Sequence, residues 1–356
     1  MEFQKHIIQH TRLLHEALAA LNALSGTGSM TLFVTDGMRL LGSITDGDVR
    51  RALLAGISLD APVREAMHTP ARAVTAPAAG PDNVLRYKLL REKGITIVPV
   101  IDSDDNIVDM VDLRATRTRL PLSAILMAGG KGERLRPMTL TTPKPLLRIE
   151  DKAIIDYNIE ALAECGVSDI TVTTRYLAEQ IHEHFSRPVA GVHVKCVTED
   201  KPLGTIGSAA LVRVPADGNT LVMNSDLLTT VSFEDMYLRH IREGADITVA
   251  VIPYQVSVPF AIVTTDGPAI TGIEEKPSYS YFANAGIYIF ANRLLRTLPT
   301  DRRTDATDLI AETIAGGGRV VYAPVNGTWL DVGSPADFEQ ASQLMRHYNN
   351  LRGNGV

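Results

Sequence analysis

The chain has 356 residues, 45% of them hydrophobic and 21% charged, with 35 Lys and Arg against 41 Asp and Glu for a net charge of −6. That length exceeds one ordinary core and suits two domains, and an acidic balance without a basic patch or arm excludes nucleic acid as a partner. No apolar run approaches a membrane span, residues 1–20 form no signal-peptide core, and Cys165 and Cys196 lack metal-ligand or redox spacing, so the sequence reads as a cytoplasmic protein without a disulfide framework.

Residues 1–120 carry 14 basic and 14 acidic side chains, leaving 21 and 27 for the remainder. They fall into two similar halves, each read as a short helix, a β-rich segment and a second helix. In the first, residues 30–34 and 40–44 form strands about the turn Thr35-Asp36-Gly37, followed by Thr45-Asp46-Gly47-Asp48 and a helix through Leu54. In the second, residues 95–101 and 107–111 flank a turn at 103–106, with residues 62–68 and 84–93 as the preceding helices. Thr45 and Asp48 suit a helix N-cap with an acid in its first turn. Residues 114–121, with Arg114, Arg117 and Arg119 among small polar neighbours, read as an exposed connection and put the domain boundary near Leu120.

Next comes Leu126-Met127-Ala128-Gly129-Gly130-Lys131-Gly132-Glu133-Arg134-Leu135-Arg136-Pro137, a glycine-rich turn after an apolar strand at 123–128. Leu126 and Ala128 end that strand. Gly129, Gly130 and Gly132 let the backbone turn sharply and bring N–H groups close to phosphate oxygens, while Arg134, Arg136 and Lys144 place cations where an anionic transition state would form. Glu133 follows Gly132 where a Walker loop needs Lys and Ser or Thr, and Leu135 stands where a dinucleotide fingerprint needs its third glycine, so both rival motifs are excluded.

Beyond the loop, a helix at 154–165 closed by Gly166, a strand at 170–174, a helix at 177–185 and strands at 192–197 and 220–223 alternate as in a Rossmann-like α/β fold with a mostly parallel sheet. Ligands of such sheets sit at the carboxyl ends of the strands. Asp226 follows the strand at 220–223 directly, and Asp331 lies in the turn-rich Gly327-Thr328-Trp329-Leu330-Asp331-Val332-Gly333. Two hard oxygen ligands suit Mg²⁺, which completes its shell with water and substrate phosphates. Lys276, in Glu274-Glu275-Lys276-Pro277 after a strand from 270, fits two readings, a buried lysine held among acids as a grip for a sugar phosphate and, as is commoner for a charge cluster beside proline, a solvated turn. Glu199 taken alone reads as a surface glutamate. His182 and His184 lie two apart and form no metal pair, no nucleophile elbow appears, and the chain carries no hexapeptide repeat after a final helix at 336–348.

From Leu122 to about Tyr348 these motifs, in this order, resemble the sugar-phosphate nucleotidyltransferases, which join a nucleoside monophosphate to a sugar 1-phosphate and release pyrophosphate. The resemblance implies a GT-A-like α/β domain in residues 121–356. It assigns the triphosphate to Leu126, Ala128, Gly129, Gly130 and Gly132 with Arg134 and Lys144, and Mg²⁺ to Asp226 and Asp331, Ser225 standing where many members have glycine. It gives Glu275, Lys276, Asn284 and Gly286 to the sugar phosphate, and the stretch with Glu199, Gly204 and Thr205 to the nucleobase, where Glu199 would accept the N1 and N2 hydrogens of guanine. Residues 1–120 resemble a pair of cystathionine-β-synthase-type (CBS) repeats, regulatory or dimerising α+β modules, with Thr45 and Asp48 as an adenosine nucleotide site and with no matching motif in the second copy. A repeat pair ahead of this enzyme type resembles the guanylyltransferases that make GDP-amino sugars such as GDP-glucosamine for legionaminic acid synthesis. The implied reaction is GTP with glucosamine 1-phosphate in a homo-oligomer. Mannose 1-phosphate guanylyl transfer, glucose 1-phosphate thymidylyl or uridylyl transfer, and an inactive nucleotide-sensing protein stay open as alternatives.

Overall fold

The chain divides into two units, Met1–Pro121 with Ala163–Val167, and Leu122–Leu162 with Ser168–Val356. The computed structural model describes residues 3–353.

The first unit contains β1 (Ile7–Gln9), α1 (Leu14–Ala23), β2 (Thr31–Asp36), β3 (Arg39–Thr45), α2 (Asp46–Leu54), β4 (Val74–Thr75), α3 (Pro81–Glu92), β5 (Ile97–Ile101) and β6 (Ile107–Asp112). Its two three-stranded sheets repeat one pattern. β1 runs parallel to β2 and β2 antiparallel to β3, as β4 does to β5 and β5 to β6. Both hairpins lie where the sequence places them. β1 and β4 are additional, and strands of two or three residues are too short to show a period. Leu14, Ala17 and Leu21 line one face of α1 at helical spacing and pack on Leu32, Val34 and Ile44. The expected helix at 62–68 is only a single 3₁₀ turn, Val63–Glu65. The His68 N–H donates to the Ser43 carbonyl at 2.8 Å and the Ser43 N–H to the His68 carbonyl at 3.0 Å, so this backbone serves the sheet rather than a helix.

In the second unit β7 (Leu122–Ala128) is followed by β8 (Arg148–Ile149), β9 (Lys152–Ala153), α4 (Ile154–Glu164), β10 (Ile170–Thr174), α5 (Ala178–His184), β11 (Lys195–Thr198), β12 (Asn219–Asn224), β13 (Leu227–Thr229) and α6 (Phe233–Arg242). Then come β14 (Ile247–Ser257), β15 (Ile262–Asp266), β16 (Ala269–Glu274), β17 (Ser278–Ala291), α7 (Asn292–Leu295), α8 (Ala306–Ala315), β18 (Val320–Pro324), β19 (Trp329–Asp331) and α9 (Pro335–Gly353). The central sheet has the order β11-β10-β7-β12-β17-β14-β18. All its pairings are parallel except the two made by β17, so the sheet is mostly parallel, as expected of an α/β fold. β7, β10 and β12 read as near-continuous apolar or β-branched runs because both faces are covered. Ile125, Val222, Ile247, Tyr288 and Phe290 pack on one side with Leu309 of α8.

That sheet places the ends of β7, β10 and β12 at one edge. Met223 pairs with Leu126 and Asn224 with Met127, so the chain leaves β12 for Asp226 where it leaves β7 for Gly129. A separate two-stranded ladder then joins β13 to β19, with Leu227 opposite Asp331 and Thr229 opposite Trp329.

Candidate active site

A cleft of about 330 Å³ opens at this edge, lined by Gly129, Gly130, Lys144, Glu199, Gly204 and Asp226, among others. The glycine loop builds its floor. Gly132 has φ 60°, and a Cβ there would lie 3.0 Å from the Thr139 methyl and 3.1 Å from Lys144 Cβ, so the loop is closed down on the two 3₁₀ turns that follow, Met138–Leu140 and Lys144–Leu146. The Thr139 hydroxyl fixes it by donating to the Gly132 carbonyl at 2.8 Å.

Lys144 stands in a 3₁₀ turn between Pro143 and Pro145, two rings that hold its backbone, and it is 8% exposed. Its ammonium donates to Asp226 Oδ2 and to Asp331 Oδ1, the latter at 3.4 Å. Two carboxylates that would repel one another are thereby held together by a cation, and the Val332 N–H, donating to the Asp226 carbonyl at 3.2 Å, adds a rung beyond the β13–β19 ladder. Asp226 Oδ1 is buried and has no hydrogen-bond partner. A buried anionic oxygen without a donor is costly, so the arrangement leaves one ligand position for a cation. Hard carboxylate oxygens fit a divalent ion of the magnesium type. The pair is two carboxylates and no more: no cluster of three or more His, Cys, Asp or Glu that could hold a metal ion gathers anywhere among the described residues.

Glu199 is no surface residue. It is 6% exposed, with Oε2 accepting the Leu203 N–H at 3.2 Å and Oε1 lying 3.3 Å from Arg175 Nε. A Cβ at 129 would come within 2.2 Å of Glu199 Oε1, so any larger residue there has to displace the carboxylate or the loop. Gly204, at φ 91°, is equally constrained, a Cβ there meeting the Thr304 carbonyl at 2.5 Å. The Thr205 N–H donates to Asp305 Oδ1 at 2.9 Å, and that bond, followed by the pairing with Arg303, holds the Asp305 carboxyl below its usual range.

Other expected residues lie elsewhere. Leu126 is wholly buried in the sheet. The Arg134 side chain is exposed, with its guanidinium beside Gly333 rather than on the cleft wall. Glu275 and Lys276 are exposed beyond the end of β16, Lys276 at φ 44°, so the buried lysine among acids is not found; a proline on one side and two solvated acids on the other leave nothing to cover it. Asn284 donates to the Tyr288 hydroxyl at 2.9 Å and accepts the Gly286 N–H at 2.9 Å, while Gly286, at φ 71°, abuts the Asn224 side chain that lines the cleft. In the first unit Thr45 and Asp48 form a reciprocal capping box on α2, and they also line a second cleft of about 360 Å³ with Arg51, His68 and Arg72. Burial alone would raise the Asp48 carboxyl, but bonds from the Thr45 hydroxyl and amide and from Arg51 hold it below its usual value.

Arg175, Asn224 and Arg303 also line the first cleft and escaped the sequence reading. Arg175 follows β10 directly, so the strand-end rule that located Asp226 would have found it; Arg303 sits in a loop with no such signal.

Residues 123–347 match the family model described as Nucleotidyl transferase, and the chain belongs to that family. Among curated relatives, "Mannose-1-phosphate guanylyltransferase catalytic subunit beta" of Danio rerio is 32% identical over 226 residues, covering 61% of this chain and 62% of the relative. The protein of the same name from Dictyostelium discoideum is 31% identical over 240 residues, covering 65% and 66%. The match thus spans less than two thirds of these relatives' own length. The crystal structure of HddC from Yersinia pseudotuberculosis shares the fold, with 20% identity and a TM-score of 0.50 over 63% of this chain and 99% of that one.

Proposed function

We propose that the second unit transfers a nucleoside monophosphate from a nucleoside triphosphate to a sugar 1-phosphate and releases pyrophosphate. The observation that carries this reading is the Lys144 ammonium bridging Asp226 and Asp331 at the mouth of a cleft floored by the glycine loop, with Asp226 Oδ1 left over. An oxygen of the sugar phosphate attacks the α-phosphorus in line, one P–O bond forms, the bond to the β-phosphate oxygen breaks, and the electron pair leaves with pyrophosphate. The nucleophile is already ionised, so no protein base is required and the protein's share is positioning and charge neutralisation. Asp226 and Asp331 would hold a divalent cation, which when bound neutralises charge between the two phosphate esters. Lys144 and the loop N–H groups orient the triphosphate. Pro202, Leu203 and Gly204 offer a flat wall to the base.

GTP is the proposed nucleotide. Its support is the guanylyltransferase names of the relatives and the placement of Glu199 on the cleft wall, where a carboxylate can accept guanine hydrogens that uracil and thymine lack. For the acceptor, the tandem halves of the first unit favour glucosamine 1-phosphate and the names of the relatives favour mannose 1-phosphate. Incubation with each triphosphate and each of glucosamine, mannose and glucose 1-phosphate, followed by measurement of pyrophosphate, tests the assignment; a strong preference for UTP or dTTP overturns the choice of GTP.

We also infer a regulatory role for the first unit, as a CBS-type pair with an adenosine nucleotide in the cleft lined by Thr45, Asp48, Arg51 and Arg72, the two guanidinium groups suiting a phosphate. Calorimetry with AMP, ADP and ATP tests this, and no heat with any of them assigns the pair a structural role.

A further inference from the structure

Arg175 and Glu199 leave the central sheet side by side. Thr174, the last residue of β10, pairs with Thr198, the last of β11, and the Glu199 N–H donates to the Thr174 carbonyl at 2.9 Å, so both side chains start from neighbouring points on the carboxyl edge. On its other side Thr174 pairs with Ala128, and a Cβ at Gly129 would lie 3.5 Å from Arg175 Cβ. The two residues thus fill the corner between the glycine loop and the wall of Pro202, Leu203 and Gly204, and both line the cleft.

The contact between them leaves hydrogen-bonding capacity unspent. The Arg175 side chain is 25% exposed and that of Glu199 7%, yet the 3.3 Å from Nε to Oε1 is not aligned as a hydrogen bond, and the buried Nε has no partner. A donor taken out of water without an acceptor is costly, and in a cleft a ligand is the natural remedy. On the carboxylate, Oε2 accepts the Leu203 N–H at 3.2 Å, which leaves the lone pairs of Oε1.

We propose that this pair reads the edge of the base, Arg175 donating to N7 and O6 of guanine through its terminal amino groups while Glu199 accepts from N1–H and the N2 amino group. The inference rests on the reading of GTP as the nucleotide and adds Arg175 to it. Side by side, a guanidinium and a carboxylate present two donors and then two acceptors, and guanine is the base whose edge presents two acceptors and then two donors. Adenine puts an amino group where O6 stands and a bare N1 where a hydrogen is needed, so it opposes like with like at both. Uracil and thymine have no N7. A ligand that draws on the terminal amino groups also swings Nε toward Oε1 and completes the ion pair. Phosphate is the other common partner of arginine, but a carboxylate 3.3 Å from the guanidinium repels a triphosphate and not a neutral base.

Isothermal titration calorimetry of the full chain tests the proposal with GTP, with 7-deaza-GTP, which carries C–H in place of N7, and with ITP, which lacks the N2 amino group. Wild type is expected to bind each analogue roughly tenfold more weakly than GTP. In Arg175→Met the affinity for GTP should fall to that for 7-deaza-GTP, so the N7 gap closes while the gap to ITP stays. A role limited to packing would weaken all three nucleotides together and leave the N7 gap open; that result overturns the proposal, as does a wild type indifferent to N7. Should the variant unfold, the wild-type comparison decides. Because binding is read without turnover, the two readings fail separately. Nucleotides bound as expected with no pyrophosphate released would fail the reaction and leave base reading intact. GTP preferred over UTP and dTTP but bound no better than 7-deaza-GTP would fail this inference alone, and a preference for UTP or dTTP overturns both it and the choice of GTP.

Discussion

Gly129 and Glu199 are fitted to one another: the first turn of the glycine loop passes so close to the buried carboxylate that a methyl group at 129 would lie 2.2 Å from Glu199 Oε1. Glu199 cannot swing away freely, since its other oxygen accepts the Leu203 N–H and Arg175 flanks it. Gly129→Ala should therefore shift the loop or the base wall by a fraction of an ångström and lower kcat/KM for the nucleotide by about 100-fold. Steady-state pyrophosphate release measures this, and activity within about threefold of wild type would show that the wall yields instead.

Removing the orphaned oxygen's charge should separate binding of the cation from folding. Asp226→Asn leaves the buried Lys144 ammonium with one carboxylate rather than two, and kcat is expected to fall by about 10³-fold. Mn²⁺ titration followed by electron paramagnetic resonance should show weakened binding in the variant. Undiminished turnover after treatment with a chelator would contradict the role given to the pair.

His240 should make stability depend on pH. Its Nδ1 lies 2.8 Å from Thr248 Oγ1 and its Nε2 3.0 Å from Asn219 Oδ1, so the neutral ring donates to the asparagine and accepts from the threonine. Burial pushes its pKa down to about 4 against the raising effect of Asp246, from an ordinary 6.5. The unfolded chain thus binds a proton that the folded one refuses. The contribution is complete above pH 6.5, declines as the pH falls toward 4, and amounts to on the order of 3 kcal/mol across that window. Urea unfolding at a series of pH values should show the slope, and His240→Gln should flatten it.

Thr45→Ala removes a cap from α2, leaving the Asp48 N–H without the hydroxyl it now reaches at 3.4 Å. A loss of about 1 kcal/mol is expected. Chemical denaturation of the variant reads it, and an unchanged midpoint would mean that the Asp48 side of the capping box suffices alone.

Much of the fold was legible because its strands are buried on both faces and are bounded by glycine or proline. The strand at 170–174 stands where expected to the residue, and the ends of β7 and β12 pointed to the cleft. What could not be read is set by distance along the chain. Nothing local to Glu199 tells that Gly129 and Leu203 will enclose it, whereas the charge cluster beside Pro277 did signal the solvated turn in which Lys276 lies. The segment 62–68 misled because only its first turn is helical, Val63–Glu65, while His68 at its end pairs with the Ser43 backbone.

The β13–β19 ladder has a consequence for synthesis of the molecule. Asp226 emerges from the ribosome long before Asp331, and the rungs that align both carboxylates form only when Trp329–Asp331 arrives. A stalled or clipped product ending before Trp329 would carry every residue that lines the cleft yet lack half of the acid pair.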